Sequence, residues 1–145
     1  QYIGSAVPIK IIFGQTYRLL QQAKAALVTS GTATLETALF RVPQTVCYYT
    51  PVGKLISFLR RHILKVKYIS LVNLVANKEV VRELVADTMT VANVRSELNA
   101  LLKDETYRGQ MLKEYDRMIK ILGPAGASHQ AASKMIELLS VRKGK

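Results

Sequence analysis

The stretch Ser30-Gly31-Thr32-Ala33-Thr34-Leu35-Glu36 lies between an apolar run, Ala25-Ala26-Leu27-Val28, and a helical pattern that stops near Pro43. A strand, a turn of small residues and a helix N-terminus leave free backbone N–H groups and a positive dipole end facing the turn. Phosphate is the natural guest of such a turn. Glu36 follows Thr32 by four residues, so the two share one helix face. A carboxylate there can accept hydrogen bonds from ribose hydroxyls while the turn holds phosphates. A blander role stays open, because many helices start this way only to satisfy orphan N–H groups, and Glu36 is equally a solvated helix residue. It is not a capping-box partner, since Ala33 stands three after Ser30 and Leu35 three after Thr32.

Other reactive side chains form no familiar set. His62 and His129 stand apart from further ligand residues, so no metal site is expected. No Ser/His/Asp or Cys/His arrangement is visible. Cys47, the single cysteine, sits in an apolar run and reads as an inert core thiol rather than a reactive one. One cysteine allows no disulfide framework, which fits a reducing, cytoplasmic setting. Asn73 is in type a turn-capping residue, and Glu83 and Asp87 are in type surface carboxylates.

The 145 residues carry a net charge of +11. Its distribution is uneven: residues 51–67 hold Lys54, Arg60, Arg61, Lys65 and Lys67 without one acid. Ile56, Leu59, Ile63 and Val66 recur there at helical spacing, which predicts a basic amphipathic helix. Such a field attracts nucleic acid, anionic lipid or phosphorylated ligands. The tyrosines are scattered and no helix-turn-helix or zinc-finger spacing occurs, which disfavours nucleic acid. No uninterrupted apolar run approaches the length of a membrane span. Gln1 in place of Met suggests that the natural start lies elsewhere.

The elements that must position the turn alternate. Strands are expected at 9–13, 25–29, 44–49 and 68–72, with helices from Thr16 to about Lys24 and from the turn to Pro43. A short apolar stretch follows at 80–85. Thr90, Asp104 and Ser128 are expected to cap three final helices, the last burying Ala132, Met135, Ile136 and Leu139. The alternation predicts an α/β fold, a Rossmann-like parallel sheet with flanking helices followed by C-terminal helices. Ligands bind such sheets beyond the carboxyl ends of the strands, where Gln15, the turn at 30–32 and Asn73 are expected to converge.

These residues resemble a known family. Ser30–Glu36 with Thr37-Ala38-Leu39, then Val42-Pro43, Tyr68-Ile69-Ser70-Leu71-Val72-Asn73-Leu74 and Val80-Val81-Arg82-Glu83-Leu84 look, in that order, like lipid-A-disaccharide synthase. The family has Pro at the place of Val72 and Gly at that of Asn77. The resemblance implies the C-terminal, donor-binding half of a GT-B glycosyltransferase, with 1–102 a UDP-sugar-binding Rossmann-like portion. Residues 103–145 would be C-terminal helices packing on the same or a partner domain. It implies inverting, metal-free and cofactor-free transfer of 2,3-diacylglucosamine from UDP to 2,3-diacylglucosamine 1-phosphate. Ser30, Gly31 and Thr32 would meet the diphosphate and Glu36 the ribose, with Gln15 also on the donor site. Asn73 and Glu83 would sit near the donor sugar. No catalytic residue is expected in this chain, because the general base and acceptor groove belong to an absent N-terminal half, so the chain alone should be inactive. The enzyme would sit in the cytoplasm, peripheral to the inner membrane. Lys54, Arg60, Arg61, Lys65 and Lys67 would face an anionic bilayer, each cation adding roughly 1 kcal/mol. An unpaired strand at 9–13 and exposed apolar faces at Met111, Met118, Met135 and Leu139 would favour a homo-oligomer. The alternatives are another UDP-sugar GT-B enzyme, such as a relative of the peptidoglycan N-acetylglucosaminyl transferase, or a non-catalytic basic module binding membrane or nucleic acid.

Overall fold

A computed structural model describes residues 9–29, 31–49, 67–124 and 126–143. Helix α1 (Thr16–Gln22) leads into β1 (Ala26–Val28), α2 (Thr32–Leu39), β2 (Gln44–Tyr48), α3 (Leu71–Ala76) and β3 (Glu83–Val85). A 3-10 turn (Ala86–Thr88) precedes α4 (Val91–Lys103), α5 (Glu105–Leu122) and α6 (Ala127–Lys143). The strands form a parallel sheet in the order β1-β2-β3. Val28 faces Val46, and Val46 faces Glu83, so these three stand at one height across the sheet. This is the expected α/β, Rossmann-like arrangement, with helices flanking a parallel sheet.

Side chains of one register line point to one face. On the face of Gln44 and Val46 lies the core: Ala38 from α2, Val46 from β2, Val72 from α3, Val80 and Val81 before β3, Leu101 from α4, and Met111, Tyr115 and Met118 from α5. Helix α5 presents Met111, Tyr115 and Met118 at helical spacing and so closes the layer over α2 and α3. Tyr115 is the largest fully buried side chain. Its hydroxyl donates to the Val42 carbonyl and accepts from Gln44 Nε2, each at 3.3 Å. Gln44 Nε2 also donates to the Thr34 carbonyl at 2.8 Å, so one polar relay joins α2, β2 and α5. Met111 Sδ accepts the Gln44 backbone N–H at 3.4 Å.

Capping follows the sequence at two places. Thr90 Oγ1 accepts from Asn93 N–H at 3.2 Å, and Asp104 Oδ1 from Tyr107 N–H at 2.9 Å. Other expectations fail. Residues 9–13 form no strand and lie exposed, Phe13 at 84% and Ile11 at 72%. A strand exists only through a neighbour's hydrogen bonds, and none of the described ladders includes this run. The expected strand at 68–72 is instead the entry to α3. Ser70 caps that helix, its Oγ accepting from Asn73 N–H at 3.3 Å, and this local bond outweighs the strand preference of Tyr68, Ile69 and Val72. The stretch 80–85 supplies β3. The last helix starts at Ala127, with Gln130 N–H bonded to the Gly126 carbonyl in place of a Ser128 cap. Its Met135 and Leu139 are 64% and 62% exposed, whereas Met111 and Met118, expected on the outside, are core residues.

Tyr115→Phe should cost about 1–2 kcal/mol in urea unfolding, because it removes the donor to a buried carbonyl. Tyr115→Ala should cost roughly 3–5 kcal/mol. Burial pushes the Tyr115 phenol above its ordinary value. The native chain therefore keeps a proton that the unfolded chain releases, and stability should fall as pH rises past about 10. Tyr115→Phe should flatten that fall.

Candidate functional site

The turn between β1 and α2 is built on Gly31. Its φ of 113° and ψ of −160° lie where side chains are strained, so glycine is required at this helix entry. The Gly31 carbonyl accepts from Thr34 N–H at 3.3 Å and Thr34 Oγ1 at 2.8 Å. Thr37 Oγ1 bonds back to the Ala33 carbonyl at 2.7 Å. Both threonine hydroxyls are thus consumed by their own helix, which lets Thr34, Thr37 and Ala38 form its buried face. Thr32 is exposed at the first helical position, and Glu36 is half-buried one turn further along. Ser30 lies outside the described residues, as do Lys54, Arg60, Arg61 and Lys65. Lys67 is exposed, its Nζ 5.1 Å from the Tyr68 ring centre.

Glu36 and Gln15 meet in one cleft of about 400 Å³, lined by Gly14, Gln15, Thr16, Tyr17, Arg18 and Glu36. Arg18 donates to Gln15 Oε1 at 3.3 Å, an exposed bond within the first turn of α1. The Tyr17 ring stacks on Phe40, with centroids 5.4 Å apart and planes at 17°. The sequence reading found Gln15 and Glu36 but missed Tyr17 and Arg18. Their place two and three residues behind a Gly-Gln turn was the available signal.

Asn73 and Glu83 meet elsewhere, between α3 and β3. Glu83 accepts from Ile69 N–H at 3.0 Å, Ser70 N–H at 2.9 Å, Ser70 Oγ at 2.9 Å and Asn73 Nδ2 at 2.9 Å. Asn73 Oδ1 accepts from Val80 N–H at 2.7 Å and Val81 N–H at 2.9 Å, while Nδ2 also donates to the Val81 carbonyl at 2.8 Å. Asn73 is fully buried, and each of its side-chain polar atoms is engaged within the chain. These two residues shape the sheet edge at the height of the β1 terminus and do not line the cleft of Glu36.

Cys47 is buried, and burial raises its thiol pKa, in keeping with an inert core residue. Among the described residues no three His, Cys, Asp or Glu side chains gather as a metal site. No described helix is long and apolar enough to cross a membrane.

The profile of the lipid-A-disaccharide synthetase family matches residues 4–136. The chain belongs to that family. A lipid-A-disaccharide synthase from Psychromonas ingrahamii is 38% identical over 143 residues, covering 99% of this chain and 36% of its own length. The synthase from Pseudomonas putida is 32% identical over 139 residues, covering 96% of this chain and 36% of its own length. That from Syntrophus aciditrophicus is 36% identical over 131 residues, covering 90% of this chain and 34% of its own. The chain therefore spans about a third of the length of the relatives it matches.

Asn73→Ala should destabilise the fold by roughly 2–4 kcal/mol, since it strands two buried N–H groups and one carbonyl. Denaturant unfolding checks this, and a loss under about 1 kcal/mol would show that water satisfies those groups.

Proposed function

We propose that this chain is the donor-binding part of an inverting glycosyltransferase of lipid A biosynthesis. The reaction moves 2,3-diacylglucosamine from UDP to the hydroxyl of 2,3-diacylglucosamine 1-phosphate. The observation that carries this reading is the alignment of an open helix entry at Gly31 and Thr32 with Glu36 one turn behind it. Glu36 in turn shares a cleft with Gln15. When the acceptor oxygen bonds to the anomeric carbon, the bond to the UDP oxygen breaks and charge collects on the leaving diphosphate. Backbone N–H groups at a helix entry stabilise that charge as it develops. Glu36 holds the ribose and so fixes the diphosphate against the turn. Asn73 and Glu83 serve the donor-sugar end indirectly, by holding the chain entering β3. The general base and the acceptor groove come from the rest of the protein, and the chain alone is inactive. Membership of the lipid-A-disaccharide synthetase family favours this reading over another UDP-sugar enzyme.

Glu36→Gln in the full-length protein should weaken UDP binding tenfold or more, given roughly 1.5–3 kcal/mol for a charge-assisted hydrogen bond. The melting temperature should stay nearly unchanged, because Glu36 lies off the core. Unaltered affinity in calorimetry would remove Glu36 from the site.

We also propose that Lys54, Arg60, Arg61, Lys65 and Lys67 hold the enzyme against an anionic membrane, where its acylated substrates reside. Vesicle flotation should rise with anionic lipid, drop in high salt and weaken on charge reversal at Arg60 and Arg61. Equal flotation with neutral vesicles would refute the electrostatic attraction.

A further inference from the structure

On its outer face helix α2 carries a stripe of Thr32, Glu36 and, at its C-cap, Phe40, flanked by the exposed Ala33 and Leu39. The Phe40 N–H bonds to the Glu36 carbonyl at 3.1 Å, so the helical rise continues to it. Successive members of the stripe stand about 6 Å apart along the axis. An anion-binding end is thus followed by a carboxylate and then by an aromatic ring. This is the order of phosphate, ribose and base along a nucleotide.

Phe40 does not face the ligand itself. It backs Tyr17, whose ring lies on it at 5.4 Å and nearly parallel. One face of the tyrosine is therefore braced. The ring is nevertheless 57% exposed, and Tyr17 lines the same cleft as Glu36 and Gln15. An exposed tyrosine on a helix ordinarily samples several rotamers, but the stack across α1 and α2 holds this one flat.

We propose that Tyr17 is the base-stacking wall of the nucleotide cleft, with Phe40 as its brace, and that it takes the pyrimidine of the donor on its open face. This inference rests on the UDP-sugar reading above. Gln15 supports it: Oε1 is held by Arg18 at 3.3 Å, which orients the amide so that Nε2 is left to donate to a base carbonyl. Stacking needs the ring and not the hydroxyl, so the role passes to Phe but not to Leu or Ala.

The test is calorimetry on the full-length protein carrying Tyr17→Phe, Tyr17→Leu or Tyr17→Ala, with UDP, UMP and pyrophosphate as probes. Leu preserves apolar contact with Phe40 and serves as the folding control, checked by thermal melting. Tyr17→Leu and Tyr17→Ala should weaken UDP and UMP roughly tenfold, as loss of one base–aromatic stack does. Tyr17→Phe should bind as the parent, and pyrophosphate should bind all four proteins alike. If Tyr17→Leu binds UDP as tightly as the parent, the base lies elsewhere and only the stacking inference falls. If pyrophosphate weakens in step with UDP, Tyr17 acts through the fold and the inference is likewise overturned. If the unsubstituted protein does not bind UDP, the nucleotide reading falls and this inference falls with it.

Discussion

The carboxylate of Glu83 is the fastening on which the sheet edge depends. It stands on the first residue of β3, yet its partners lie at the entry of α3: two backbone N–H groups, the Ser70 hydroxyl and the Asn73 amide. A half-buried carboxylate loses water, and only several donors offset that loss. The Ile69 and Ser70 N–H groups stand just before and at the N-cap of α3, where the helix offers them no acceptor, so strand and helix entry each satisfy the other's need. Asn73 then extends the knot to Val80 and Val81. With these bonds made, the chain from α3 to β3 has one available path. Val46 receives its partner at the right height, and the core face of β2 meets α5.

A different constraint governs the cleft side. Helix α2 must bury one face and offer the other, and it does so with residues of similar type. Thr34 and Thr37 enter the core because each hydroxyl bonds to its own backbone, so their burial leaves no polar atom unpaired. Thr32, Glu36 and Phe40 lie on the opposite stripe, with no place in the buried cluster. Duties are thereby separated within one short helix and its C-cap. Changes on the inner stripe act on stability, and changes on the outer stripe act on what the cleft holds.

The parts legible in the sequence were those whose signals are local. The strand–turn–helix around Gly31, β2, and the caps at Thr90 and Asp104 follow from patterns a few residues long. Residues 9–13 misled because a short run with four apolar residues around Lys10 reads as a strand wherever it occurs, while pairing is a property of the neighbour. Residues 68–72 misled because β-branched and aromatic residues outvoted Ser70, although a serine three residues before an amide donor is a capping signal. Asn77 adopts φ 51° and ψ 30°, a left-handed C-cap that asparagine tolerates. Read that way, Ser70 and Asn77 bracket a helix. The Asn73–Glu83 knot was half legible: both residues were singled out, but their bonds to each other, ten positions apart, depend on the intervening chain folding back.

The same reasoning explains why the cleft was found through its acid and not through its aromatic. Glu36 is tied to Thr32 by helix periodicity, which the sequence carries openly. Tyr17 and Phe40 belong to different helices and are brought together only when α1 and α2 lie side by side. Tyr17, one of seven scattered tyrosines, gave no signal alone. Its meaning comes from the brace: a single ring at the surface is ordinary, whereas one held flat beside a carboxylate, one turn beyond a free helix entry, has a geometry that a nucleotide can use. The core requires only that the inner face of α2 be apolar or self-satisfied. The outer stripe is therefore where this family member can change its ligand contacts without changing its fold.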